Sequence, residues 1–147
     1  MDATRQKLIR RAEEINTSDL SVIDLQERMR EVCSEHLIEA KVDVNRLLGH
    51  EDWRVRSSAL DIVWWGVGAT DGIDQTITIL QHDPDEDLRC EAALALYEAA
   101  RGTPKEAMAE EAFKKVAETD ESEDVRAAAL KYLVKLDQRH EVDPQVE

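Results

Sequence analysis

With 147 residues the chain is the size of one domain, and a chain of this length buries roughly two-thirds of its unfolded surface, so neither a disulfide nor a metal is needed for folding. A formal net charge of -14, from 19 Lys+Arg against 33 Asp+Glu, argues against nucleic acid as a direct ligand, because phosphate binding needs a basic footprint. No apolar run approaches the ~20 residues of a membrane span, so a soluble protein is expected.

Taken in chain order, the first residues, "MDATRQKLIRRAEEI", carry charge at every turn and have no apolar h-region, which points to the cytoplasm. Apolar periodicity predicts helices over residues 4–16 and 19–33, with Thr17 or Ser18 as the cap before the second. Further helices are predicted over 35–49 (Leu37, Val44, Leu47, Leu48), 71–81 (Ile73, Ile77, Leu80) and 104–119 (Ala109, Ala112, Phe113, Val116). Pro104 suits a first helical turn. Between them lie three similar stretches, "HEDWRVRSSALDIV", "DPDEDLRCEAALAL" and "DESEDVRAAALKYL", predicting helices that begin near Trp53, Asp85 and Glu123. The tail from about His140 to Glu147 contains Pro144 and no apolar period, so it is expected to be disordered.

The three stretches align residue for residue. Val55-Arg56, Leu88-Arg89 and Val125-Arg126 are each followed three residues later by Ala59, Ala92 and Ala129, and seven past the Arg by Val63, Leu96 and Leu133. At 100° per residue, Val55, Ala59, Ile62, Val63 and Gly66 share one helix face. Leu88, Ala92, Ala95, Leu96 and Ala99 repeat it, as do Val125, Ala129, Tyr132, Leu133 and Leu136. These are core stripes, with small Ala allowing close approach of neighbouring helices. Spacings of 33 and 37 residues between the copies fall in the range of helical solenoids.

An acidic turn, then Val-Arg, then Ala resembles the second helix of the HEAT-repeat family, over about residues 35–137. Only the second copy carries the turn proline, Pro84. The resemblance implies an all-α, short right-handed α–α superhelix of stacked antiparallel helix pairs. It is expected as one domain over 1–140, with capping helices in 1–34 and repeats over 35–70, 71–102 and 103–138. It also implies that Arg56, Arg89 and Arg126 form a structural ladder with acids such as Asp52, Asp85 and Asp124.

Catalytic, cofactor and metal chemistry finds little support. "DPDED" imitates the start of a calcium loop, but the required Gly and Glu positions hold Leu88 and Leu94. "GVGATDG" over 66–72 follows no strand and precedes no Lys, so it is read as a helix terminus and turn. His50 and His82 have no Cys or close His partner for a metal. Cys33 and Cys90 lack the basic neighbours of a nucleophile, and their separation in a helical context reads as two thiols of a reducing compartment. No catalytic residue, cofactor or metal is assigned, and a non-enzymatic protein is expected.

The remaining signal is aromatic. The eighth residue after each Arg is Trp64, Tyr97 and Val134, opposite the core stripe. Asp61 and Lys131 stand at the fifth place, Trp65 and Glu98 at the ninth. In a HEAT-like stack the second helices line the concave face, so Trp64, Tyr97, Asp61, Trp65, Glu98 and Lys131 form the expected partner-binding surface. The competing reading is that the tryptophans pack between helices. The acid concentrates in the repeats: residues 51–147 hold 11 basic against 23 acidic residues, whereas 1–50 hold 8 against 10. The expected function is therefore an acidic adaptor or inhibitor, the toxin-immunity type included. It would be a monomer when free and would clasp a protein partner with a basic patch. A scaffold subunit whose acid serves only solubility is the alternative.

Overall fold

In a computed structural model of the protein, which describes residues 3–35, 39–65 and 69–142, the described residues form eight α-helices and no strand. They are α1 (Ala3–Thr17), α2 (Val22–Glu35), α3 (Val44–Leu48), α4 (Trp53–Trp65), α5 (Ala69–His82), α6 (Glu86–Ala100), α7 (Glu106–Thr119) and α8 (Glu123–Val142). Two layers result. The second helices pack in sequence, α2 on α4, α4 on α6 and α6 on α8, while α3, α5 and α7 form the other layer. The α4–α6 and α6–α8 contacts are more extensive than α5–α7.

The predicted stripes form the core between the layers. Val55, Ala59, Ile62, Val63, Leu88, Ala92, Ala95, Leu96, Ala99, Val125, Ala129, Tyr132 and Leu136 are buried. Leu133 is only half-buried, and Gly66 lies outside the described residues. Phe113 of α7 fills the layer interface at full burial.

Each second helix is started by a side chain that accepts a backbone N–H of its first turn. Asp52 accepts Arg54 N at 2.9 Å, Asp85 accepts Asp87 N at 2.8 Å and Ser122 accepts Val125 N at 3.3 Å. For α2 the cap is Ser21, which accepts Asp24 N at 3.2 Å. It is not the expected Thr17 or Ser18: the Thr17 hydroxyl donates back to the Glu13 carbonyl and Ser18 N–H still bonds Glu14 O, so both serve the end of α1.

The arginine ladder exists, but its acids differ from those expected. The Arg56 guanidinium donates to both Asp83 oxygens at 2.8 and 3.3 Å, and Arg89 to both Asp120 oxygens at 3.0 and 3.2 Å. Both acids sit two residues before the cap of the next second helix, and each also accepts that cap's N–H, from Asp85 at 3.0 Å and from Ser122 at 2.8 Å. A single carboxylate thus shapes the turn and ties it to the preceding helix. The expected acids are used elsewhere. Asp52 holds Arg54, Asp85 is spent on its cap, and among the described residues no ion pair joins Asp124 to the ladder.

Counted from its cap, α2 proves to be a fourth second helix lacking the signature. Leu25, buried, stands four residues after Ser21, where the others carry arginine. His50, with Nδ1 accepting Asp52 N–H at 2.9 Å, stands where the later turns carry Asp83 and Asp120. Both ends of that rung are changed together, so no charge is stranded.

Other boundaries moved. Of the helix expected over 35–49, residues 36–38 lie outside the described residues, Glu35 ends α2, and among 39–49 only Val44–Leu48 is helical. Asn16 of α1 accepts Asp43 N–H at 2.7 Å and donates to Lys41 O at 2.9 Å, which holds the approach to α3 in a non-helical path that Asp43 then caps. Arg46 in turn donates to the last carbonyls of α1, Ile15 O and Asn16 O. Gly72, expected in a turn, lies inside α5. A Cβ there would stand 2.8 Å from Val63 Cγ2 and 3.0 Å from Val44 Cγ1, so glycine serves close helix approach. Gly102 ends α6 with φ 76°, and α7 begins at Glu106, two residues past Pro104. Helix α8 runs to Val142, beyond the expected end of the fold near 140. Residues 143–147 of the expected disordered tail lie outside the described residues.

Candidate functional site

The candidate surface lies on the second-helix layer and divides into two clusters. At the end of α4, Trp64 and Trp65 are 38% and 46% exposed, their rings 4.4 Å apart and tilted by 52°. Adjacent residues on a helix point about 100° apart, so each indole borders a different groove. Trp65 closes a groove of about 480 Å³ between α2 and α4, walled by Gln26, Met29, Arg30, Cys33 and Asp61. Trp64 borders a smaller one of about 150 Å³ between α4 and α6, with Leu60, Asp61, Glu91 and Leu94. Asp61 belongs to both.

The charged side chains of this cluster are mainly acidic, Asp61 and Glu91, with Arg30 across the larger groove. Partial burial raises the Asp61 carboxyl above its ordinary value. Glu91 is also raised, first by burial and then by the Asp61 charge, against a lowering hydrogen bond from the Ser57 hydroxyl at 2.7 Å. Two carboxyls raised by desolvation across an apolar groove, Glu91 further by the Asp61 charge, favour a cation between them. The Cys33 thiol is pushed up to about 11 by burial and by Asp61. It is a wall of the groove and not a nucleophile at neutral pH.

Tyr97, Glu98 and Lys131 fall in the second cluster, between α6 and α8. Tyr97, expected on one surface with Trp64, faces a different setting. Its ring packs 5.2 Å from Tyr132, which continues to Phe113 at 6.1 Å, so half of Tyr97 belongs to the core. Its charged neighbours are mainly cations, Arg101 and Lys135, each 5.8 Å from the ring centre. Lys131 lies 5.3 Å from the Tyr132 ring, and Glu98 pairs with Arg101 at 3.0 Å. The cations gather here because Arg101 follows Tyr97 by one helical turn and α8 presents lysines at 131 and 135.

Sequence reasoning missed the α2 wall of the larger groove, since α2 lacks the Arg signature. Counting from Ser21 would have found it, because Met29 and Cys33 stand where α4 has Leu60 and Trp64. Among the described residues no group of three or more His, Cys, Asp or Glu side chains is placed to hold a metal, and no described helix is long and apolar enough to cross a membrane.

A family model for HEAT repeats matches residues 73–146, half of the chain. No curated protein and no solved structure was found to match it. HEAT repeats generally mediate protein–protein interaction, and the fold is typically non-catalytic. The matched segment holds two of the aligned copies and both closed rungs of the ladder draw on it. The chain belongs to the HEAT-repeat family.

Proposed function

We propose that the protein is a non-enzymatic adaptor or inhibitor that takes a basic segment of a partner protein onto its second-helix face, with Trp64 and Trp65 gripping on either side of Asp61. The observation that carries this reading is the pair of exposed indoles beside Asp61 and Glu91, two carboxyls raised by desolvation in the adjoining grooves. A lysine or arginine side chain laid along the tryptophans would neutralise Asp61 and Glu91 while its stem covers apolar surface. Tryptophan is the side chain most enriched among residues that dominate binding energy. An inhibitor that covers the basic surface of a toxin or nuclease is one form of this function, and the low-salt steering supplied by acid suits it.

The test compares wild type with Asp61→Lys and with Trp64→Ala/Trp65→Ala as bait in a native extract, followed by titration of the captured partner using tryptophan fluorescence. A basic partner is expected, bound stoichiometrically by wild type and lost by both variants. A partner retained by both variants, or one captured only as part of a large assembly regardless of Asp61, refutes the reading and favours a scaffold role.

A further inference from the structure

The second helices share a position, eight residues after the cap, that faces the next second helix. In α2, α4 and α6 it is filled by Met29, Leu60 and Ala93, each no more than 2% exposed under the following helix. In α8 it is Leu130, 54% exposed, and one turn later Val134 is 44% exposed. The ladder is open at the same place. Arg56 and Arg89 each receive a carboxylate from the turn entering the following second helix, whereas Arg126 only donates to the Asp120 carbonyl, at 2.6 Å. No carboxylate among the described residues pairs with it. Among the described residues, the outer face of α8 therefore repeats the chemistry of an internal face without its cover.

We propose that this face pairs with the same face of a second copy, α8 lying antiparallel to α8 about a two-fold axis. In an antiparallel pair, residues equidistant from the axis meet. An axis passing level with residue 132 puts Leu130 of each copy against Val134 of the other. The same axis sets Arg126, six residues before it, opposite Asp137, five residues after it. At 1.5 Å per residue these lie about 9 and 7.5 Å from the axis, a mismatch that an arginine side chain spans easily. Asp137 is exposed and makes no ion pair among the described residues. One helix face thus offers both halves of an apolar and an ionic match at mirrored spacing, which selects a second copy over an unrelated helix. Lys131 and Lys135 do not obstruct it, since they lean over Tyr132 and Tyr97 towards α6. The face is separate from the Trp65 groove, which lies two helices away, and the inference does not rest on the function proposed for that groove.

A single helix face per copy makes a small interface of the weak, reversible class, with dissociation expected at roughly tens of micromolar. Each copy carries -14, and this long-range repulsion is screened by salt more than two short Arg–Asp contacts are, so added salt should tighten the pair. Sedimentation velocity of the full chain up to about 200 µM, at low and moderate salt, reads the association. The expected result is a concentration-dependent dimer strengthened by salt and abolished by Leu130→Glu, with helicity unchanged by circular dichroism. Asp137→Arg alone should weaken it about tenfold or more, and Arg126→Asp combined with Asp137→Arg should recover most of the loss. A wild-type chain that stays monomeric at the highest concentration overturns the proposal. So does a dimer that Leu130→Glu or Asp137→Arg leaves intact, since that dimer uses another surface.

Discussion

Replacing Arg89 by methionine removes three hydrogen bonds at once: two to the Asp120 carboxylate at 3.0 and 3.2 Å, and one to the Asp83 carbonyl at 2.7 Å. The paired side chains are 8% and 7% exposed, so the Asp120 charge would be left in the protein with only the Ser122 N–H as partner. Breaking a buried ion pair from one side costs about 3–5 kcal/mol, a large share of the 5–15 kcal/mol typical of a whole domain. Arg126→Met is the internal control. It loses a single bond to the Asp120 carbonyl, about 1–1.5 kcal/mol. In the double variant Arg89→Met/Asp120→Asn no charge is stranded and Asn can still accept the Ser122 N–H. It should therefore be more stable than Arg89→Met alone, the pattern expected when the penalty is an uncompensated charge. Urea unfolding followed by far-ultraviolet circular dichroism gives the three values, provided the slope stays constant. If Arg89→Met costs no more than Arg126→Met, or the double variant is no better than the single, the ladder does not bind repeat to repeat as argued.

Gly72→Ala should destabilise by about 1–3 kcal/mol through overpacking against Val63 and Val44, even though alanine is the better helix former by about 1 kcal/mol; a raised melting temperature would contradict the close approach. Leu136→Asp or Val55→Asp should abolish cooperative unfolding, as both side chains are 0% exposed, while Leu133→Asp should be milder because Leu133 is half-buried. Asp61 has a folded-state pKa raised by burial, so the folded chain holds that proton more readily than the unfolded chain. Its contribution is present at low pH and lost as pH rises through the range just above the ordinary carboxylate value. Asp61→Asn should remove that part of the pH dependence, read from melting temperatures across the range, and an unchanged profile would refute it. Asp52, held down to about 2 mainly by its hydrogen bonds from Arg54, works in the opposite sense, its contribution lost only as pH falls below its ordinary value.

The stripes beginning at Val55, Leu88 and Val125 were legible because periodicity reports burial directly. The arginines were legible too, but not their acids. Asp52, Asp85 and Asp124 are close in sequence, yet Asp83 and Asp120 reach Arg56 and Arg89 from 27 and 31 residues away. Which of several acids in a turn points backward is decided by the turn's own hydrogen bonds. The fourth second helix, α2, was hidden because Leu25 and His50 replace both members of a rung, and a signature built on arginine cannot find its absence. The aromatic surface was half legible. Position relative to Arg put Trp64, Trp65 and Asp61 on one face, but placing Tyr97 with them ignored that Tyr132 on the next helix draws its ring into the core.

A charge of -14 invites a single explanation, either attraction of a basic partner or solubility, and the side-chain geometry divides it instead. Asp83 and Asp120 are committed to the ladder, Asp52 and Asp85 to helix starts, and Glu14, Glu31 and Glu39 to arginines or a lysine near the first helix pair. These acids are neutralised where they stand, so they add little to any attraction at a distance. Asp61 and Glu91 differ. Among the described residues lining the two grooves the one basic side chain is Arg30, on the far wall, and desolvation makes the ionised state of both carboxyls costly. A partner that brought a cation would remove that cost on binding, so the affinity of such a partner should depend on Asp61 far more than on the larger number of acids elsewhere. Neutralising exposed Glu118 and Asp124 instead of Asp61 should change the rate of association and its salt dependence while leaving dissociation nearly untouched. If the two kinds of substitution behave alike, the acid acts as a diffuse field and the groove has no special claim on the partner.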